Sequence, residues 1–107
     1  MIPGLPARLA ELAALHQTTH YGALARDLGL TGPATIARLT DALEDLMEQD
    51  ASRGEPFRAA LVNARGSSLP APGFFEKAAA LGRFAEETPS DFIARERADL
   101  YRNQPDP

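Results

Sequence analysis

His20-Tyr21-Gly22-Ala23-Leu24-Ala25-Arg26-Asp27-Leu28-Gly29-Leu30 runs directly into Thr31-Gly32-Pro33 and then into a long amphipathic segment. Leu24, Ala25 and Leu28 fall at helical spacing, which predicts a short helix over about 21–28 with those three side chains inward. Gly29 suits a left-handed C-terminal cap, with Leu30 folding back onto the helix. Thr31 or Gly32 is expected to cap the next helix, with Pro33 in its first turn, where the missing N–H costs nothing. Ile36, Leu39, Leu43, Leu46 and Met47 then repeat at three and four residues and carry that helix to about Asp50, with Gly54 and Pro56 ending it. Short helix, glycine turn and long helix together make a helix-turn-helix.

The flanks extend this reading. Leu9, Leu12, Ala13, Leu15 and His16 form one stripe of a first helix over about 6–17, with Pro6 in its first turn. Thr18-Thr19 breaks the pattern. After Pro56 the period changes: the partly apolar segment 57–64, bounded by Pro56 and Gly66, reads as a strand. Arg65-Gly66-Ser67-Ser68 reads as a turn and Leu69-Pro70-Ala71-Pro72-Gly73 as an extended loop. A strand and turn after the long helix make a small wing. A fourth helix is expected over about 74–84. A fifth opens at Thr88-Pro89-Ser90-Asp91, a capping box with Asp in the usual Glu place. Its apolar stripe (Phe92, Ile93, Leu100, Tyr101) is thin beside Arg95, Glu96, Arg97 and Asp99, as in an edge helix or dimer arm. The expected fold is therefore mainly α: one winged helix-turn-helix domain over 1–107, its core at about 5–84, with a short β wing, two additional C-terminal helices and a frayed tail at 104–107.

Composition bounds the function. A chain of 107 residues holds one core without room for a deep catalytic cleft beside it. With no cysteine there is no disulfide, thiolate metal site or cysteine nucleophile. No export signal or membrane-spanning run is present, so a cytoplasmic protein without a membrane partner is expected. Ten arginines against the single Lys77, with abundant alanine, fit a bacterial genome rich in G and C. The net charge of −4 opposes indiscriminate DNA coating. It is unevenly placed, however: residues 1–40 carry +1, residues 41–56 carry −5, and the remainder balances.

Chemistry is sparse. The N-terminal end of the long helix offers free N–H groups and a partial positive charge. Thr31, Thr35 and Arg38 lie near that end, off the apolar stripe, and could reach phosphates or base edges; an arginine such as Arg38 can in principle hold a guanine with two hydrogen bonds. The plainer alternative is a capping Thr31 and an Arg38 paired with Asp41 or Asp45. Asp41, Glu44, Asp45 and Glu48 would repel DNA if the helix lay flat in a groove, which leaves end-on insertion. Wing contacts would come from Arg58 and Arg65, with Arg53 close by; solvated surface arginine is the other reading. His16 and His20 are four apart, but Thr18-Thr19 interrupts any helix between them and no third ligand stands near, so no metal and no cofactor is expected. Nucleophile elbow, phosphate-cradling glycine loop and pocketed carboxylate pair are all missing, so the chain is read as no enzyme. Phe74 and Phe75 point about 100° apart on a helix. Phe75, with Tyr101, is therefore a candidate partner or dimer surface, against a default of core packing.

At Tyr21-Gly22-Ala23-Leu24-Ala25 the chain resembles the winged-helix DNA-binding half of the bacterial alkylguanine alkyltransferases and alkyltransferase-like proteins. It is more similar to a family of small, largely uncharacterised bacterial winged-helix domains, some attached to restriction-type nucleases. There a like opening leads to a Val-rich strand with an Asn and a Leu-Pro-Gly-like-Gly-Phe segment. The counterparts here are Ala60-Leu61-Val62-Asn63 and Leu69-Pro70-Ala71-Pro72-Gly73-Phe74, so the likeness spans about 18–76. The alkyltransferases keep their reactive cysteine in Pro-Cys-His-Arg, whereas Pro56-Phe57-Arg58 has neither cysteine nor histidine, which excludes alkyl transfer to the protein. What the resemblance implies is a DNA-facing helix, by analogy of fold. Two readings lead: a non-catalytic module for double-stranded DNA, or a protein-interaction or homodimerisation module that has lost the nucleic-acid surface. A third, a small-ligand sensor, would need an internal pocket that 107 residues with this much alanine are not expected to supply.

Overall fold

Apolar residues at helical spacing build five α-helices among residues 2–102, the part of the chain described by the computed structural model. They are α1 (Leu5–Ala14), α2 (Tyr21–Asp27), α3 (Thr35–Arg53), α4 (Pro72–Ala80) and α5 (Pro89–Arg102). Two short strands, β1 (Thr19–His20) and β2 (Val62–Asn63), pair in parallel, with Thr19 opposite Val62 and His20 opposite Asn63. The fold is thus mainly helical with one small parallel sheet. The expected frayed tail at 104–107 lies outside the described residues.

The helix-turn-helix segment folds largely as its residues dictate. Leu24 and Ala25 are buried, Gly29 takes φ +70°, and Leu30 N–H returns to the Ala25 carbonyl at 3.0 Å, closing α2 with a Schellman turn. α3 starts later than expected. Ala34 at its N-cap lies in the left-handed region (φ 59°) with no side-chain cap, so Thr31 and Pro33 precede the helix instead of opening it. Leu39, Leu43, Leu46 and Met47 are buried as the stripe requires, while Ile36 is 46 % exposed.

Elsewhere the tertiary structure reshapes the sequence pattern. α1 stops at Ala14: His16 N–H bonds to Ala13 and Gln17 N–H to Leu12, with His16 itself at φ 54° and Leu15 60 % exposed. This early stop frees Thr18 and lets Thr19–His20 run beside β2, so the residues that interrupt the first helix become a strand. The strand expected over 57–64 contracts to β2, preceded by a 3₁₀ turn over Arg58–Leu61. Its partner lies ahead of α2, which makes the sheet parallel and not an antiparallel wing hairpin. The 65–68 turn forms as expected, closed by Ala64 N–H to the Leu69 carbonyl at 2.9 Å.

α5 is no edge helix. Glu96 is 3 % exposed, and its Oε1 accepts the Phe57 backbone N–H at 2.9 Å and Arg83 Nη2 at 2.9 Å. Arg97 donates to the Ala60 carbonyl (2.9 Å), the Ser68 carbonyl (3.2 Å) and Asn63 Oδ1 (2.5 Å). Arg97 has no carboxylate among these acceptors, and burial holds its guanidinium below the ordinary arginine range. From the other side, buried Asp50 of α3 accepts the next amide, Arg58 N–H, at 3.0 Å. Two carboxylates from two helices thus hold two consecutive amides and fix where β2 begins. Around fully buried Phe57, all five phenylalanines form one cluster; its ring lies 5.9 Å from Phe74 and 6.4 Å from Phe92. Edge-to-face pairs of this kind add to the apolar area they bury.

Candidate functional site

Three pieces of chain meet at one cleft of about 830 Å³: the start of α2, the first two turns of α3, and the segment from Ala64 to Phe74. His20 comes from β1; Tyr21, Gly22 and Arg26 from α2; Ile36 and Thr40 from α3; and Arg65, Ala71, Gly73 and Phe74 from the third piece. The β1–β2 pairing makes this meeting possible, because it lays His20, just before α2, beside Asn63, two residues ahead of the 65–68 turn. Burial pushes the Tyr21 phenol above its ordinary value, and the nearby Glu44 carboxylate adds to the rise, while a hydrogen bond with the Ala71 backbone opposes it. The phenol is therefore neutral at physiological pH and ties α2 to the loop ahead of α4.

The pairing of basic side chains picks out the same region. Arg8 reaches Glu11 and Asp27, Arg53 Glu55, Arg58 Asp50, Lys77 Glu48, Arg83 Glu96, Arg95 Glu87 and Arg102 Asp99. Among the described residues, the exposed arginines without a carboxylate partner are Arg26, Arg38 and Arg65. Arg26 and Arg65 line the cleft. Arg38 projects about 200° around α3 from Ile36, on the opposite flank of the same end, where its Nη2 donates to the Thr31 carbonyl at 3.0 Å. Positive charge therefore stands on both flanks of the N-terminal turns of α3.

The expected site residues divide accordingly. Thr31, Thr35 and Arg38 stand at this end of α3, and Arg65 lines the cleft with Ile36 and Thr40. The Thr35 hydroxyl donates to the Gly32 carbonyl at 2.7 Å, and Arg38 takes neither Asp41 nor Asp45. Arg58 does not join them: its Nε lies 3.0 Å from Asp50 Oδ1 and its Nη2 2.9 Å from the same oxygen, so it neutralises a buried carboxylate in place of reaching outward from a wing. Phe75 and Tyr101 turn toward their own chain. The Phe75 ring sits 5.1 Å from Phe74 and 5.3 Å from Phe84, and Tyr101 stacks on His16 at 4.5 Å. His16 and His20 are correspondingly in different surroundings, one stacked on Tyr101 of α5 and the other at the cleft.

Sequence reasoning missed Arg26, Tyr21 and Ile36 as parts of one site. One signal was present: Arg26 stands off the apolar stripe of α2. Its adjacent Asp27 is instead taken by Arg8, 19 residues away in sequence, a pairing that spacing does not reveal. No family model, curated protein or solved structure matches the chain.

Proposed function

We propose that the chain is a non-catalytic module for double-stranded DNA, built on a winged-helix plan in which β2 and the 65–68 turn serve as a reduced wing. The observation that carries this reading is the segregation of arginines: the exposed ones not consumed by carboxylates flank one helix end. A helix end entering a groove has phosphates on either side of it, and arginines on both flanks are placed to meet them. Ala37, small and exposed, occupies the outward position between them. Farther along, Asp41, Asp45 and Glu48 are exposed and must stay clear of the phosphates, so insertion is end-on. Thr31 and Thr35 supply hydroxyls at the same end, and Arg58 supports the site by holding the chain that leads to β2.

The test is fluorescence polarisation with a random-sequence 20-base-pair duplex at low and moderate salt. Binding should weaken steeply with salt, and Arg38→Ala and Arg65→Ala should each lower the salt slope by about one unit. Flat polarisation at low salt overturns the reading. The acidic outward face of α3 favours one alternative, a protein-interaction module; in that case both substitutions leave complex formation unchanged, and Asp41 or Asp45 substitutions disturb it.

A further inference from the structure

The sequence gives no reason to expect a ligand cavity in so small and alanine-rich a chain, yet the cleft beside α2 and α3 lies within the 300–1,000 Å³ range of small-molecule sites. Its walls are mostly apolar. Ile36, which the α3 stripe would have buried, is left 46 % exposed at this cleft, which Tyr21 and Phe74 also line. Two lining residues, Gly22 and Gly73, are glycines that their backbones do not require. Each sits in the first turn of a helix, neither has positive φ, and a Cβ on either would meet no atom of the chain within 4 Å. Alanine would suit both backbones; what the glycines provide is room. The polar groups that line the cleft include Arg26 and Arg65, both without a carboxylate partner.

We infer that the cleft binds a small planar aromatic anion of the aryl carboxylate class. Its ring lies between Tyr21 and Ile36 and its charge is met by Arg26 and Arg65. An arginine fork matches a carboxylate with two parallel hydrogen bonds, and the apolar walls beside it take the ring. Glu44, whose field reaches Tyr21, disfavours a carboxylate on the phenol side and so orients the ligand toward the arginines. The site does not rest on the DNA reading, since it is tested with no nucleic acid present.

The experiment is a ¹H–¹⁵N NMR titration of the full chain with 1-naphthoate, beside the neutral 1-naphthylmethanol and the non-aromatic acetate. Saturable shifts confined to 20–26, 36–40, 64–65 and 71–74 are expected, with the alcohol bound roughly tenfold more weakly and acetate not bound below about 5 mM. The Arg26→Gln/Arg65→Gln double variant should lose roughly tenfold in affinity for naphthoate and none for the alcohol. Gly22→Leu should fill the cleft and abolish naphthoate binding without lowering the Tm, which separates occlusion from misfolding. No shifts at about 5 mM naphthoate, shifts scattered over α1 and α5, or equal affinity for acid and alcohol would each overturn the inference.

Discussion

Glu96 looks from its sequence neighbours Arg95 and Arg97 like a solvated helix-face charge, yet it is buried and accepts a backbone amide and a guanidinium at once. Removing it leaves the Phe57 N–H without its acceptor and Arg83 without its anion. Glu96→Ala should therefore cost about 2–4 kcal/mol, read as a lower urea midpoint. Arg83→Ala should cost less, because that guanidinium is partly in water and the amide keeps its acceptor. A midpoint unchanged in Glu96→Ala would show that the pair does not anchor α5. Tyr21 gives a prediction in pH. Its phenol titrates higher folded than unfolded, so once pH passes about 10 the unfolded state loses a proton that the folded state keeps. The stabilisation is complete below that value and is lost as pH rises through the folded pKa. Wild type should lose more stability than Tyr21→Phe between about pH 9 and 11; identical losses would show that the phenol is not desolvated.

Among the elements, α2 depends most on a single backbone choice. Gly29 holds φ +70° at its C-terminal end, where an L side chain is strained by about 1–2 kcal/mol. Gly29→Ala should lower stability by about that amount in chemical denaturation while leaving the helical circular dichroism of the native state unchanged. A neutral Gly29→Ala would mean that the α2–α3 turn has another conformation open to it. α1 ends by the same hydrogen-bond pattern with His16 in the left-handed position, and there the His16–Tyr101 stack holds the residue against α5. Cap chemistry made the end of α2 legible in the sequence. It misled at the start of α3, because Thr31-Gly32-Pro33 has the composition of a helix start, while the helix begins after Ala34.

For the molecule as a whole, the charge asymmetry is the property that bears on function. The excess acid lies between residues 41 and 56, and Asp50 within it is withdrawn from the surface by Arg58. Exposed Asp41, Asp45 and Glu48 stand along α3 behind the arginine-flanked end. Asp41→Asn with Asp45→Asn should therefore strengthen duplex binding several-fold at low salt, and the gain should shrink as salt screens it. Weaker binding in the double variant would place the acidic face at the contact and support the protein-partner reading.

Local rules determined the five helices, the α2 cap and the 65–68 turn, because apolar spacing and glycine chemistry act over a few residues and need no partner. The sequence also placed Thr31, Thr35 and Arg38 at one helix end, and Arg65 in the turn after the short strand. Only the tertiary structure decided the rest. Thr19–His20 becomes a strand because Val62–Asn63 arrives beside it from more than forty residues away. Arg58 and Arg97 are drawn inward because Asp50, Asn63 and two carbonyls wait there. Asp27 of α2 is held by Arg8 of α1, 19 residues away in sequence. In each case the deciding contact joins residues far apart in the chain, and no periodicity along a single strand or helix encodes which distant group will supply it.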